Sequence, residues 1–179
     1  MEIIYFFEKN NEFYFLSNFY KSEITIDDIK YNCVEQYFQS QKFYQPHDEK
    51  SMEYCDLIIN ADSPQKTKNM GSQKINYRGT TWYVNKNNKN LGKMNEKINE
   101  YKNIKIRNDW DIIKNDVMRK GLMAKFTQND ILKKKLLDTQ NKILVENSPY
   151  DSYWGNAKCG QNMLGKLLME IRENIRIMT

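Results

Sequence analysis

The chain has 179 residues, enough for one domain with its own hydrophobic core and too few for two full domains. No stretch approaches the roughly 20 apolar residues of a membrane span. Residues 1–8 lack the pattern of a signal peptide, so we expect a cytoplasmic protein with no membrane partner. The net charge of +5 is concentrated in residues 93–135, where twelve Lys or Arg stand against six Asp or Glu. That stretch either faces phosphate groups or is a well-solvated surface.

The cysteine and histidine content limits the kinds of catalytic and metal site that the chain can form. Cys33, Cys55 and Cys159 are an odd number without CxxC spacing, which favours reduced thiols over a metal cluster. His47 is the only histidine and lies in a loop-like segment, so a Ser-His-Asp or Cys-His arrangement would depend on it alone. We therefore predict no metal site and no cofactor. Any catalysis must use carboxylates, amines, amides and tyrosines.

The N-terminal third begins with short predicted strands. Residues 3–7 and 13–15 have strand-like composition and are separated by a Lys-Asn-Asn turn signal. Residues 16–19, Leu-Ser-Asn-Phe, form a predicted turn with polar side chains between apolar neighbours. Ile24 and Ile26 alternate with polar residues, which predicts a half-buried strand over residues 23–29.

Residues 33–43 are the most informative stretch, because they carry neither Gly nor Pro and are rich in aromatic residues. Their spacing predicts an amphipathic helix whose face comprises Val34, Tyr37, Phe38 and Gln41. Glu35 and Lys42, seven residues apart, share a face to within about 20°, and Gln39 lies between them. This stripe is either the solvated face of a surface helix or one wall of a cleft, since unpaired charges are rarely buried.

The middle of the chain predicts two further helices and a long connection. Residues 48–59 are predicted to be helical, and Ser63 with Pro64 gives a cap and first turn for a helix that ends near Gly71. Residues 72–103 are rich in Asn and Lys and have little periodicity. We interpret them as an insertion, with a short helix over residues 92–101.

The C-terminal half returns to regular patterns. Asp109 is a predicted cap for a long helix through Phe126, and Asn129 caps the next. Residues 143–145 form a predicted buried strand, and residues 163–178 a final helix. These elements predict a single helix-rich α+β domain with a small β-sheet over residues 1–179, in which 72–103 is inserted.

A polar and aromatic segment, residues 146–155, follows the predicted strand directly. Its Ser-Pro and Trp-Gly pairs indicate a loop, and loops held by a rigid element often carry functional groups. Gly155, Gly160 and Gly165 follow at regular spacing, with Asn162 among them. The glycines alone match neither a P-loop nor a dinucleotide-binding fingerprint.

Eight stretches stand in a fixed order along the chain: residues 16–19, 35–43, 107–110, 117–118, 124–126, 144–146, 151–155 and 162–169. Among them are Glu-Gln-Tyr-Phe-Gln-Ser-Gln-Lys-Phe at 35–43 and Asp-Ser-Tyr-Trp-Gly at 151–155. Each stretch alone is weak evidence for a family, but the eight stretches in this order are specific. It resembles the YbiA-like family, also called the NADAR (NAD- and ADP-ribose-associated) domain family.

The resemblance implies a YbiA-like fold and an N-glycosidase that cleaves the bond between ribose C1 and an exocyclic amine. It implies two substrate classes. One is the phosphoribosylaminopyrimidine intermediates of riboflavin synthesis, and the other is ADP-ribosylated guanine in nucleic acid. For the second class, a cognate ADP-ribosyltransferase toxin is an open alternative as a partner, and the oligomeric state is not predicted. The competing hypothesis is a non-catalytic module that binds ADP-ribose or a nucleotide.

The resemblance also gives chemical roles to the stripe on residues 33–43 and to the loop at Asp151, which we expect to line one cleft. Glu35 would stabilise an oxocarbenium-like state or supply it with water. Asp151 would accept hydrogen bonds from ribose hydroxyls or share acid–base work. Lys42 is either a phosphate contact or a Schiff-base nucleophile toward the ring-opened sugar. We predict these three residues as catalytic.

The implied substrate contacts are polar and aromatic side chains within the matched stretches. Trp110 and Trp154 offer flat faces to a base or sugar, and Trp110 also fits a core position at a helix start. Small hydroxyl and amide side chains suit phosphate or ribose as neutral donors. The predicted set is Ser17, Asn18, Phe19, Gln39, Trp110, Tyr153, Trp154, Gly155 and Asn162.

Two features depart from the family pattern. Family members often carry Gly-Arg after the third helix, whereas this chain has Gly71-Ser72, which puts one phosphate contact in doubt. The insertion at residues 72–103 is longer than in compact members and bears on which substrate fits.

Overall fold

The computed structural model describes residues 2–72, 101 and 103–178, together with the backbone of residues 74–77 and 80–83. The strands are β1 (Ile3–Phe6), β2 (Ile24–Ile26), β3 (Ile29–Tyr31), β4 (Lys74–Tyr77), β5 (Thr80–Tyr83) and β6 (Ile143–Glu146). The helices are α1 (Val34–Gln41), α2 (Glu49–Ile59), α3 (Pro64–Gly71), α4 (Trp110–Thr127), α5 (Asp130–Asp138) and α6 (Met163–Met178). The chain forms two compact units: Met1–Val34 with Met118–Thr179, and Glu35–Val117.

In the first unit, β1 pairs in parallel with β6, so that Ile3 lies opposite Ile143 and Phe6 opposite Glu146. Side chains along β1 alternate between exposed and buried, as a strand with one covered face requires. The pairing brings the start of the chain beside the strand that leads into the loop at residues 147–162. The predicted strands at both places are confirmed.

The segment predicted as one strand over residues 23–29 is instead the first arm of an antiparallel hairpin, β2 and β3. Asp27 and Asp28 turn the chain with φ of 51° and 62°. Two successive residues of positive φ make the tight turn whose twist matches paired strands, and Asp tolerates this conformation better than most residues. The side-chain amide of Gln128 bonds both the N–H and the C=O of Thr25, each at 2.8 Å.

The strand predicted at residues 13–15 is wrong. Residues Glu12–Leu16 form a 3-10 helix, capped by the Asn11 side chain, which accepts a hydrogen bond from the Phe13 N–H at 2.7 Å. An Asn side chain that binds a nearby backbone N–H stabilises a helical turn. Here that local contact outweighs the strand propensity of the aromatic residues that follow.

Helices complete the first unit. On α6 the predicted apolar face is confirmed, because Leu164, Leu167, Leu168, Ile171 and Ile175 are all buried. Arg172 lies on the same helix and is buried as well. Its guanidinium donates to Thr139 Oγ1 at 2.8 Å and to the Lys142 carbonyl at 3.0 Å, which fastens α6 to the chain between α5 and β6.

The second unit begins with α1 and follows the predicted order of helices. Asp48, predicted as the first residue of the second helix, caps α2. Ser63 caps α3 with Pro64 in its first turn, as predicted. A buried cluster lies among these helices and the chain before α4: Phe43, Tyr54, Cys55, Ile58, Ala61, Met70, Tyr101 and Ile104. Within the predicted insertion, β4 and β5 form an antiparallel hairpin. The predicted helix at residues 92–101 falls outside the described residues, apart from Tyr101.

The predicted class, a helix-rich α+β fold with little β-structure, is confirmed, and the β-structure consists of two-stranded sheets in the described residues. Among those residues, no helix combines the length and the apolar character needed to cross a bilayer. The assignment of residues 1–179 to one domain stays a prediction.

Lys125 lies on the buried face of α4, in the first unit. Its side chain is 0% exposed, and its Nζ donates to the Ser17 carbonyl at 2.8 Å. The amine also lies 5.5 Å and 5.1 Å from the ring centroids of Tyr20 and Phe126. Burial disfavours the charged form and lowers the pKa of Lys125 to about 7, an effect that Cys33 partly opposes.

We expect Lys125 to make the folded protein more stable as pH rises above neutrality. The folded state loses the Lys125 proton at about pH 7, whereas the unfolded chain keeps it to its ordinary pKa of 10.5. Because the unfolded state then binds more protons, this residue should raise the free energy of unfolding by up to about 1.4 kcal/mol per pH unit. Urea unfolding of the parent and of Lys125→Met at about pH 7 and about pH 8.5 measures the effect.

The quantity to compare is the parent's unfolding free energy minus that of Lys125→Met, because this difference cancels the other titrations. One of these is Cys55, whose pKa burial raises to about 12 and which destabilises the fold only above the ordinary thiol pKa. A difference that stays constant or falls with pH would contradict the account of Lys125.

Candidate active site

The stripe on α1 is buried. Glu35 and Gln39 are each 5% exposed, which excludes the solvated-face interpretation for this part of the helix. The Gln39 Nε2 donates to Glu35 Oε1 at 2.8 Å, one helical turn away. A buried carboxyl group is costly unless it accepts hydrogen bonds, so the neighbouring amide helps to keep an acid at this position.

Lys42 follows α1 directly and is only partly buried. Its Nζ donates to the Gly71 carbonyl at 3.3 Å. The amine also lies 5.7 Å and 5.9 Å from the ring centroids of Phe38 and Trp110. A carbonyl oxygen and two aromatic rings are contacts that suit an ammonium group.

Trp110 begins α4, and its contacts place it beside Lys42. Its ring centroid lies 4.9 Å from that of Phe38 at an interplanar angle of 59°. The preceding segment is held by the backbone, because the Arg107 N–H donates to the Lys42 carbonyl at 2.9 Å. Trp110 therefore packs against the predicted catalytic stripe, and its role in stacking on a base stays a prediction.

Asp109, the predicted cap of α4, gives its carboxylate to Arg107 in two hydrogen bonds of 2.6 Å and 2.9 Å. The guanidinium holds the pKa of Asp109 below its ordinary value. The helix nevertheless begins directly after Asp109, whose backbone carbonyl accepts from the N–H groups of Ile112 and Ile113. This ion pair stiffens the segment that leads into Trp110.

In the first unit, Asp151 organises its own loop. Its Oδ1 accepts hydrogen bonds from the N–H groups of Tyr153 and Trp154, at 2.9 Å and 2.8 Å. The rings of these two residues meet edge to face with centroids 5.1 Å apart. A Cβ added at Gly155 would lie 2.9 Å from Ser148 Cβ, so the loop closes only with glycine there. Asp151 therefore has an architectural role besides its predicted catalytic one.

Asn162 has a similar structural task. Its backbone has a positive φ of 51°, and its side-chain amide bridges β6: Oδ1 accepts from the Glu146 N–H at 3.0 Å and Nδ2 donates to the Leu144 carbonyl at 2.8 Å. The amide that sequence analysis offers to a substrate is thus engaged with the backbone. Its contact with substrate stays a prediction.

The turn at residues 16–19 is stabilised by hydrogen bonds with other residues of the first unit. The Ser17 carbonyl accepts from Lys125, and the Ser17 Oγ accepts from the Phe19 N–H at 3.2 Å. The Asn18 Nδ2 donates to Met118 Sδ at 3.3 Å, whereas Asn18 Oδ1 has no hydrogen-bond partner among the described residues. Asn18 was predicted as a donor, but in this arrangement its unengaged group is an acceptor.

The predicted site residues therefore fall into two groups. Glu35, Gln39, Lys42 and Trp110 belong to the second unit and are linked by the contacts above. The other eight belong to the first unit: Ser17, Asn18, Phe19, Asp151, Tyr153, Trp154, Gly155 and Asn162. That Glu35 and Asp151 line one cleft stays a prediction. In the described part of the chain, no group of three or more His, Cys, Asp or Glu is placed to hold a metal ion.

Sequence analysis missed residues that hold these groups in place. The burial of Lys125 could have been predicted from spacing. It follows Met118 by seven residues and Leu122 by three, which places it on the same buried face of the helix. For Arg107 and Gly71, no spacing pattern indicated a role. Arg107 lies in one of the eight matched stretches, and Gly71 lies where the chain departs from the family pattern. Their roles arise from backbone contacts with Lys42, which spacing along the chain does not reveal.

Comparison with known proteins decides the family. The profile of the NADAR domain matches residues 5–176. The chain belongs to the NADAR domain family. The N-glycosidase Npun_R5314 of Nostoc punctiforme is 32% identical to this NADAR protein over 175 residues, 97% of this chain and 92% of that protein.

Two further relatives are informative. The N-glycosidase YbiA of Escherichia coli is 33% identical over 177 residues, 98% of this chain and 89% of that protein. The NMR structure of E. coli YbiA matches the NADAR protein with a TM-score of 0.73 and 32% identity, covering 99% of this chain and 86% of that chain. The predicted YbiA-like fold is thus confirmed. The chloroplastic riboflavin biosynthesis protein PYRR of Arabidopsis thaliana is 46% identical over 69 residues, 37% of this chain and 12% of that protein.

Two substitutions separate the architectural role of Asp151 from its predicted chemical role. Asp151→Asn keeps an Oδ1 that accepts from the loop N–H groups, so thermal stability should be retained. If the charge is used on substrate, this variant should lose activity by about 100-fold. Asp151→Ala should also lose about 1 kcal/mol of stability, because the loop N–H groups lose their acceptor.

Thermal unfolding and kcat/KM of both variants test the two roles. An active Asp151→Asn together with a destabilised Asp151→Ala would restrict Asp151 to holding the loop.

Proposed function

We propose that this NADAR protein cleaves the bond between ribose C1 and an exocyclic amine of a base. The protein is a hydrolase that acts on N-glycosyl bonds, a class supported by relatives named N-glycosidase over nearly its whole length. The observation that carries the bond assignment is the buried stripe of α1. There, the carboxyl group of Glu35 is buried, and the amine of Lys42, the first residue after the helix, lies beside two aromatic rings.

Glu35 supplies the charge that this reaction needs. As the C1–N bond breaks, positive charge develops on the ribose ring, and a fixed carboxylate in a site shielded from water stabilises it strongly. The same carboxylate can accept a proton from the attacking water. The Gln39 amide holds one carboxyl oxygen at 2.8 Å, so the group is oriented before substrate arrives.

Lys42 has two available roles. As an ammonium it binds a phosphate of the substrate, and its contacts with a carbonyl and two rings suit that form. As a nucleophile it attacks C1 of the ring-opened imine, and this route requires a base to remove a proton from Lys42 first. Glu35, seven residues before Lys42, is the base that the sequence offers.

For the substrate, we favour a small phosphoribosylaminopyrimidine. The relative named for riboflavin biosynthesis supports this class. The charge of the described basic residues also favours it, because most of those between residues 105 and 135 are neutralised or buried. Lys125 is buried and five others form ion pairs: Arg107, Lys114, Arg119, Lys120 and Lys134. A cation that already pairs with a carboxylate must exchange that partner before it binds a nucleic-acid phosphate, which reduces the gain from each contact.

ADP-ribosylated guanine in nucleic acid is the second candidate, favoured by the net charge of +5. A cognate ADP-ribosyltransferase toxin would be a partner only in that case. Activity on an oligonucleotide that falls steeply with salt would support this candidate, because binding releases counterions from the phosphates.

The deciding experiment incubates the protein separately with a phosphoribosylaminopyrimidine and with an oligonucleotide that carries ADP-ribosylated guanine. Mass spectrometry then seeks the free aminopyrimidine from the first substrate, and ADP-ribose with the unmodified oligonucleotide from the second. Release from the pyrimidine supports the favoured substrate, and release from guanine supports the second. Binding with no release from either compound would overturn the enzyme proposal in favour of a binding module.

Replacing Glu35 should abolish turnover without unfolding the protein. Glu35→Gln preserves the shape of the side chain and an oxygen that accepts from Gln39, but it removes the negative charge. We expect kcat to fall by about 1,000-fold or more, with little change in thermal stability. A variant that keeps more than a tenth of the parent's kcat would exclude Glu35 as the central catalytic group.

Lys42→Arg separates the two roles of the amine. Arginine keeps the charge, so turnover should remain measurable if Lys42 only binds phosphate, whereas a nucleophile would be lost because arginine does not form imines. Borohydride added during turnover should reduce an imine to a stable adduct at Lys42 in the parent protein. An active Lys42→Arg without trapping in the parent would rule out the nucleophile.

A further inference from the structure

The carboxyl end of α3 contacts two predicted site residues, Gln39 on α1 and Lys42 directly after it, through a single residue, Gly71. The Gly71 carbonyl accepts from the Lys42 Nζ at 3.3 Å. A Cβ added at Gly71 would overlap the Gln39 carboxamide and would lie 2.9 Å from Gln39 Cβ. Gly71 thus lies against Gln39 with no space for a side chain between them.

Gln39 transmits this contact to Glu35. Its Nε2 donates to Glu35 Oε1 at 2.8 Å, and its Oε1 has no hydrogen-bond partner among the described residues. The side chain is 5% exposed, so it has little freedom to choose another rotamer. One end of the carboxamide is therefore fixed by the acid and the other by Gly71.

Gly71 itself is anchored from outside the stripe. Ser63 caps α3 at its start, and the Tyr54 hydroxyl donates to the Met70 carbonyl at 2.9 Å. Tyr54 is fully buried and packs edge to face on Phe43. The position of Gly71 is consequently set by the core of the second unit and not by the side chains that it touches.

We propose that Gly71 is a positioning residue that sets the distance between the Glu35 carboxyl group and the Lys42 amine. Its carbonyl orients Lys42, and its bare Cα lets Gln39 lie at the depth where it reaches Glu35. This inference rests on the proposed function for its catalytic consequence, but the geometry of the two contacts stands on its own. Any side chain at position 71 must move Gln39, and with it the partner of Glu35.

A double-mutant cycle tests the proposal. Gly71→Ala should lower kcat by about 10-fold to 100-fold with KM changed by no more than about twofold, because displacing a catalytic group by about an ångström has effects of this size. Gln39→Ala alone should also lower kcat. The double variant Gly71→Ala/Gln39→Ala should be no worse than Gln39→Ala, because the side chain that clashes is absent.

Ser72→Ala is the matched control, since Ser72 is the next residue at the same helix end and is exposed. It should leave kcat and KM unchanged. If Gly71→Ala alone does not fold while the double variant does, the close packing of Gly71 on Gln39 is supported directly. Effects of the two substitutions that simply multiply, or an unaffected Gly71→Ala, would overturn the proposal.

A second readout does not depend on turnover. Trace labelling of all amines with acetic anhydride, followed by mass spectrometry, gives the reactivity of each lysine. Gly71→Ala should change the labelling rate of Lys42 by at least about threefold, a shift that a lost or displaced hydrogen bond readily produces. Lys50 and Lys66, which are exposed, should label as in the parent. If the parent turns over neither substrate, the proposed function fails, whereas an unchanged Lys42 labelling rate overturns the positioning role.

Discussion

The hydrogen bond from the Gln39 amide to the buried carboxyl group of Glu35 is the contact on which the candidate site depends. A buried carboxyl group at 5% exposure is costly unless it accepts hydrogen bonds, and Gln39 supplies one of them. With it, the helix keeps a carboxyl group in a place shielded from water, where electrostatic stabilisation of a cationic transition state is most effective. The position of this carboxamide also explains why residue 71 is glycine, since a Cβ there would overlap it.

The two units use polar residues differently. In the second unit, Gln39 binds Glu35 within α1, and Lys42, directly after that helix, binds the Gly71 carbonyl. In the first unit, the side chains of Asp151 and Asn162 form hydrogen bonds with backbone groups of the following loop and of β6, respectively. Such contacts fix a loop precisely and leave fewer groups for a ligand. The same residue types thus build architecture in one unit and a candidate reaction centre in the other.

Sequence analysis succeeded where the signal is local. The Ser63 cap with Pro64 and the apolar spacing of α6 each predict their element, because helix starts and amphipathic faces are encoded within a few residues. It failed at residues 13–15, where the capping contact of Asn11 outweighs strand propensity. The stripe of α1 was visible from spacing, but its burial was not. The contact of Gly71 with Gln39 joins residues 32 positions apart, and no periodicity reports such a meeting.

The most direct test of the central claim is the fate of water oxygen during a single turnover in heavy-oxygen water. If the fixed carboxylate of Glu35 and the amine of Lys42 break the C1–N bond, with or without an imine, water is added at C1. The base should therefore be released with its amine nitrogen and without heavy oxygen, which is the diagnostic result because C1 of a free sugar also exchanges its oxygen with water. Heavy oxygen in the base, with nitrogen left on the sugar, would show that a different bond is cleaved and would contradict the account.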